Sequence, residues 1–218
     1  RPVPAKNALC AAAFELRNRL HPCRIYLTTG DITKVRDIDV LVNSENNFMQ
    51  MARVFETRHV SSVLRYAGSW ENEAGHVISD AVQEELDQQI RLKVGIRPVA
   101  LGKVIATNAG HPNSKLRRKQ KARYIFHVAT VEVLHGGVGI ALRPLTEGPA
   151  IRDCVANCLD MTQDVDYHKG VISPENTEQR ILEEENVRHY TPIRSIIFPL
   201  FGTGHDGIPV QYVVPAML

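Results

Sequence analysis

Little in this chain would suit a membrane span, a metal cage or a disulfide framework. No apolar run approaches the roughly 20 residues needed to cross a bilayer. Cysteines number four among 218 residues. Two of them, Cys154 and Cys158, fall on one face of a helical pattern, but no CxxC or HxxxH motif completes a ligand set, so no metal and no cofactor is expected. Free thiols packed as small hydrophobes in a reducing cytoplasm are the expectation instead. Net charge is nearly absent too: 26 basic against 24 acidic residues leave +2, which gives no bulk reason to expect a nucleic-acid or membrane binder. No signal peptide is visible. The chain starts at Arg1 without a methionine, which suggests a domain cut from something longer.

What is present is ordinary globular material. Hydrophobic residues make up 44% and charged residues 23%, enough for one large domain or one domain with an appendage. Leu9, Ala13, Leu16 and Leu20 form a helical stripe that Pro22 ends, so residues 1–22 read as an N-terminal helical extension. Strands are expected at 24–30, 38–43, 99–108, 123–131 and 195–201. Helices are expected at 60–68, with Gly68 as cap, at 80–90, with Asp80 and Gln83 as a capping pair, and over 148–161, with Ile151, Val155, Cys158 and Leu159 inward. A final helix is expected near "VVPAML", with Pro215 in its first turn. Strands alternating with helices argue for a mostly parallel sheet between helical layers. Residues 164–192 read as a polar surface excursion.

Three polar or glycine-bearing stretches fall at the ends of expected strands: "TGDI" (29–32), "VNSEN" (42–46) and "FGTGHDG" (201–207). Glycines after a buried strand let main-chain N–H groups approach a phosphate, or they make a turn with no ligand. Together with "RYAG" (65–68), "GKVIATNAG" (102–110) and "ARYIFHVATV" (122–131), these motifs resemble the macrodomain family of ADP-ribose-binding modules over roughly residues 24–218. The resemblance implies a three-layer α/β/α sandwich with a mixed, mostly parallel central sheet, spanning 23–218. It also implies that the sheet continues beyond Leu218 in a longer parent protein.

On the family pattern, Asp31 accepts from the adenine amino group and the Ile32 N–H meets a ring nitrogen. Asn43 and Asn46 match the family's paired asparagines, the second of which faces the distal ribose. Gly202, Thr203, Gly204, His205, Asp206 and Gly207 match the diphosphate loop. A turn role for Asp31, and Asx-turn or capping roles for the asparagines, are the alternatives. The chain departs from the pattern in two places. His205 and Asp206 stand where an apolar and then an aromatic residue are usual. The glycine-rich catalytic loop is also missing, since no glycine occurs between Gly30 and Gly68. Val60 falls where hydrolases of the family carry an aspartate. Arg53, Arg58 and His59 could neutralise phosphate there or stand as solvated surface residues, and Ser61 and Ser62 open a helix whose N–H groups favour an anion.

The expectation is therefore a sensing or recruitment module for ADP-ribose or a related adenine nucleotide, free or on a modified protein, without covalent chemistry. Two other readings stay open. One is an ADP-ribosyl hydrolase with Glu45, Glu56 or a substrate-assisted water as base. The other is an interaction domain using the basic run Lys115, Arg117, Arg118, Lys119, Lys121 and Arg123. That run has no interleaved aromatics, so it reads as a solvated segment and nucleic acid is not expected. "HGGVG" (135–139) reads as a flexible turn and His127 as a core histidine.

Overall fold

The computed structural model describes residues 9–16, 23–54, 56, 59–136, 139–167, 192–204 and 207–218. Its centre is a sheet built on β3 (Val40–Asn46), β6 (Val104–Asn108), β7 (Tyr124–Gly136) and β9 (Ile196–Ile197), in the order β6-β7-β3-β9. β3 runs parallel to both β7 and β9, with Val40 opposite Tyr124 on one side and Ile196 on the other. β6 is antiparallel to β7, and the far half of β7 pairs antiparallel with β8 (Gly139–Pro144). β4 (Trp70–Glu71) and β5 (Val77–Ser79) form a small antiparallel sheet of their own. The fold is mixed α/β with a mixed sheet, not a mostly parallel one, because β6 and β8 both pair antiparallel with β7, which needs no crossover over a face of the sheet.

Side chains alternate along β3, so each residue serves one face. Leu41, with Ile105, Ile125 and Ala129, packs under α1 (Val60–Gly68), α2 (Ala81–Lys93) and Leu116 of α3 (Lys115–Arg118). Val40 and Val42, with Val104, Phe126 and Val128, pack under Ile151, Cys154 and Cys158 of α4 (Gly148–Tyr167) and Ala216 of α5 (Val210–Met217). Each fully buried Leu, Ile or Phe contributes about 1.5–3 kcal/mol. Leu159, expected inward, is exposed; the buried stripe of α4 is Ile151, Cys154 and Cys158.

Several expectations are corrected. Leu9–Leu16 is not a helix but a strand, β1, paired antiparallel to β2 (Cys23–Thr29) from Leu9–Thr29 to Leu16–Cys23, in a sheet of its own. Alanine-rich sequence favours a helix only weakly, and ladder pairing overrides it. Of the expected strand 195–201, only Ile196 and Ile197 pair. Pro215 lies inside α5 instead of in its first turn. The capping pair of α2 does not form: Asp80 binds Arg65, and Gln83 accepts from the Met51 N–H at 2.8 Å. Residues 168–191, most of the expected polar excursion, lie outside the described residues.

Gly68 does not cap α1 through a left-handed conformation; Ser69 follows it in extended backbone. Its role is close approach. Gly110 (φ +78°) crosses it so tightly that a Cβ on Gly110 would enter the Gly68 backbone, and the His111 N–H donates to the Gly68 carbonyl at 2.9 Å. Gly110→Ala is expected to cost at least about 2 kcal/mol, combining left-handed strain with collision. Gly75→Ala, at φ +81° with open space around it, should cost about 1 kcal/mol from strain alone. Urea denaturation of both variants checks this; equal losses would mean the crossing has room to spare.

Candidate functional site

Parallel strands β3 and β9 end at the same edge of the sheet, and the segments leaving that edge carry most of the residues singled out from the sequence. After β3 comes a tightly held turn. The Asn46 Oδ1 accepts from the Phe48 N–H (2.9 Å) and its Nδ2 donates to the Gln50 carbonyl (3.1 Å). Asn46 is thus an Asx-turn residue, and both ends of its amide serve the turn. The following backbone is pinned by α1 and α2: Arg65 donates to the carbonyls of Met51 and Ala52 while gripping Asp80 with two nitrogens.

Asn43 is not in a cleft. It is fully buried in a polar chain that crosses the sheet. Its Nδ2 donates to Glu45 Oε1 (2.5 Å) and faces His127 Nδ1 (3.3 Å), while His127 Nε2 meets Thr107 Oγ1 (3.0 Å). An amide N–H can only donate, so Nδ1 accepts, and the neutral ring carries its proton on Nε2. The Thr107 hydroxyl passes its own proton to the Asn108 carbonyl. Ser61 extends the chain upward: its hydroxyl donates to Glu45 Oε1 (2.5 Å) and accepts from the Ala52 N–H (3.1 Å). Ser61 is therefore a buried anchor for α1, not an exposed anion donor. Asn43 Oδ1 is left buried without a partner, a cost of about 1–3 kcal/mol.

Asp31 caps a short 3-10 helix, Ile32–Lys34. Its Oδ1 accepts from the Thr33 N–H (2.9 Å) and hydroxyl (2.7 Å), and its Oδ2 pairs with Lys34 at 3.7 Å. Burial would raise the carboxyl pKa, but the Thr33 hydrogen bonds and the Lys34 charge outweigh it and hold Asp31 below the usual range. Oδ1 is committed to the turn; exposed Oδ2 keeps capacity to accept. Ile32 is half-buried against the same core cluster as Val60 of α1. The start of α1 has no acidic residue in its first turn and no side-chain cap.

The glycine loop after β9 is anchored by buried Phe201 and closed by its own hydrogen bonds, Ile208 N–H to the Gly202 carbonyl (2.9 Å) and Gly207 N–H to the Gly204 carbonyl (3.3 Å). Gly202 and Gly207 hold φ +68°, whereas Gly204 lies in an ordinary region with nothing within 4 Å of a Cβ built on it. Thr203 donates to the Leu200 carbonyl at 3.1 Å. Arg58, His205 and Asp206 lie outside the described residues.

Two open pockets of about 280 Å³ border neither Asp31 nor the glycine loop. One is lined by Trp70, Glu71, Lys115 and Arg118 among others, the second by Lys103, Asn157 and Asp160 among others. Among the described residues no group of three or more His, Cys, Asp or Glu could hold a metal ion, and no helix is long and apolar enough to cross a membrane. Comparison with models of known protein families and with curated proteins finds no match.

The polar chain has a pH signature. Burial pushes Glu45 up from 4.5 to about 7, against hydrogen bonds from Ser61 and Asn43 and the charge of Arg65. Burial pushes His127 down from 6.5 to about 3. Glu45 therefore contributes stability that is full below pH 4.5 and lost as pH rises through 7. His127 contributes stability that is full above pH 6.5 and lost as pH falls toward 3. Glu45→Gln isolates the first effect. As pH falls from 7 to 4.5, the stability of the parent relative to the variant should rise by up to about 1.4 kcal/mol per unit. Urea titrations across that window check it; a flat difference would show an unshifted carboxyl.

Proposed function

We propose that the chain is a macrodomain-like module, an α/β/α sandwich that binds ADP-ribose or a related adenine nucleotide at the carboxyl edge of β3 and β9 and acts by recruitment or sensing. The observation that carries this is the glycine loop. It leaves β9 at the edge where β3 ends, and Gly202 at its start holds φ +68°, the kind of backbone that turns N–H groups toward an anion. The adjoining start of α1, without a first-turn acid, adds favourable dipole to the same edge. Asp31 Oδ2 supplies an exposed acceptor of the kind an exocyclic amine needs.

Binding without turnover fits the residues available. Val60 opens α1 and cannot serve as a base. Glu45 has a suitable pKa but is 3% exposed and held by Ser61 and Asn43, so no substrate proton comes within reach.

Gly204→Val is a clean probe, because Gly204 has ordinary φ and open space around its Cβ position. Folding should survive while the new side chain occupies the place of a phosphate oxygen. Calorimetric titration with ADP-ribose, with AMP and NAD as controls, should show binding by the parent and a loss of about tenfold or more in Gly204→Val, at unchanged melting temperature. Asp31→Ala should lose about 1.5–3 kcal/mol, the range for a hydrogen bond to a charged group. Release of ADP-ribose from aspartate- or glutamate-modified protein should be negligible. Equal binding by parent and Gly204→Val would move the site elsewhere.

A further inference from the structure

At the opposite edge of the sheet, where α1 ends and β6 turns toward α3, the chain assembles a surface that its sequence keeps apart. The only tryptophan, Trp70, follows α1 directly. The Gly68–Gly110 crossing brings His111 beneath it, with ring centroids 5.0 Å apart and planes 7° from parallel. The imidazole is oriented by the Asn113 N–H, which donates to its Nδ1 at 3.1 Å. Trp70 remains 41% exposed and lines an open pocket together with Lys115 and Arg118 of α3.

The charges around this pocket are unevenly matched. Lys115 is paired with Glu71 (2.7 Å) and lies 4.4 Å from the Tyr66 ring centre. Lys121 and Arg123 face Asp37 and Asp39. The Arg118 guanidinium, in the pocket beside Trp70, has no hydrogen bond or ion pair among the described residues, its backbone N–H donating to the Ser114 carbonyl. An exposed indole backed by a second ring, next to a free guanidinium on a basic run, is the combination that holds a base by stacking and its phosphate by charge. The basic run lacks interleaved aromatics in the sequence; the fold supplies them from the segment after α1 and the β6–α3 turn.

We propose that this face binds single-stranded nucleic acid, one base stacking on Trp70 and the flanking phosphates meeting Arg118 and the basic segment of α3. The pocket is open and continuous with that segment, which suits a strand passing across it more than an enclosed mononucleotide. The site is separate from the glycine loop and stands whether or not ADP-ribose binds there.

The test is fluorescence anisotropy of the 218-residue chain with labelled oligo(U) and oligo(dT) of about 12 nucleotides, at low and moderate salt. Quenching of the single tryptophan is read in parallel. Expected are binding that weakens with salt, quenching on saturation, and a loss of about tenfold in Trp70→Ala that Trp70→Phe largely restores. Arg118→Glu should weaken binding and flatten its salt dependence, at unchanged melting temperature. The site is overturned if neither oligonucleotide binds at low salt. It is equally overturned if Trp70→Ala and Trp70→Phe both bind as the parent does, or if UMP alone competes as well as the oligonucleotide.

Discussion

A line of buried polar side chains runs through the centre of this molecule, and the placement of everything around it follows. Glu45 and Asn43 on β3, His127 on β7 and Thr107 on β6 lie on the face of the sheet that α1 and α2 cover, and Ser61 closes the line from above. Each would be costly alone in an apolar core; each is tolerable because its neighbour supplies the partner. The arrangement works in one register only. A slip of one residue between β3 and β7 would set Asn43 against Phe126 or Val128 and turn the carboxylate toward the apolar cluster under α4. The same hydrogen bonds fix where α1 sits, and α1 has the glycine-loop edge at its start and Trp70 at its end.

A second clasp works at the other end of β3. Asp39 accepts from the backbone N–H groups of Arg194 and Ser195 and pairs with Arg123. One carboxylate thereby joins the chain entering β3, β7 and β9. With β9 reduced to two paired residues, this side-chain contact does part of the work that a longer ladder would do.

The parts legible in the sequence were those whose residues answer to a single period. Val82, Leu86 and Ile90 announce α2, Ile151 and Cys158 announce α4, and the apolar run around Phe126 announces β7, because burial on one stripe or on both faces leaves no second reading. Leu9–Leu16 misleads because Leu9, Ala13 and Leu16 satisfy a helical stripe, while the cross-strand partners in β2 that decide the matter lie beyond the local pattern. β8 was not expected at all, since the glycines of "HGGVG" hide a continuing ladder. At the candidate site, the glycine loop and the Asp31 turn could be read locally. The burial of Asn43 and Ser61 could not: a polar residue looks the same in sequence whether it faces solvent or a buried glutamate. Trp70 and His111 are 41 positions apart, and only the close passage of two glycines joins them.

The stripe that docks α4 also governs the reactivity of two of the four cysteines. Cys154 and Cys158 sit fully buried beside the sheet, and burial pushes the first thiol up to about 11 and the second further still. Thiolate, the form that reacts with oxidants and alkylating agents, is therefore scarce at both positions near neutral pH. Modification must wait for α4 to lift from the sheet. The pace at which these two sulfurs are consumed is thus a measure of how often that helix opens, while exposed Cys23 reacts at a rate set by its own chemistry.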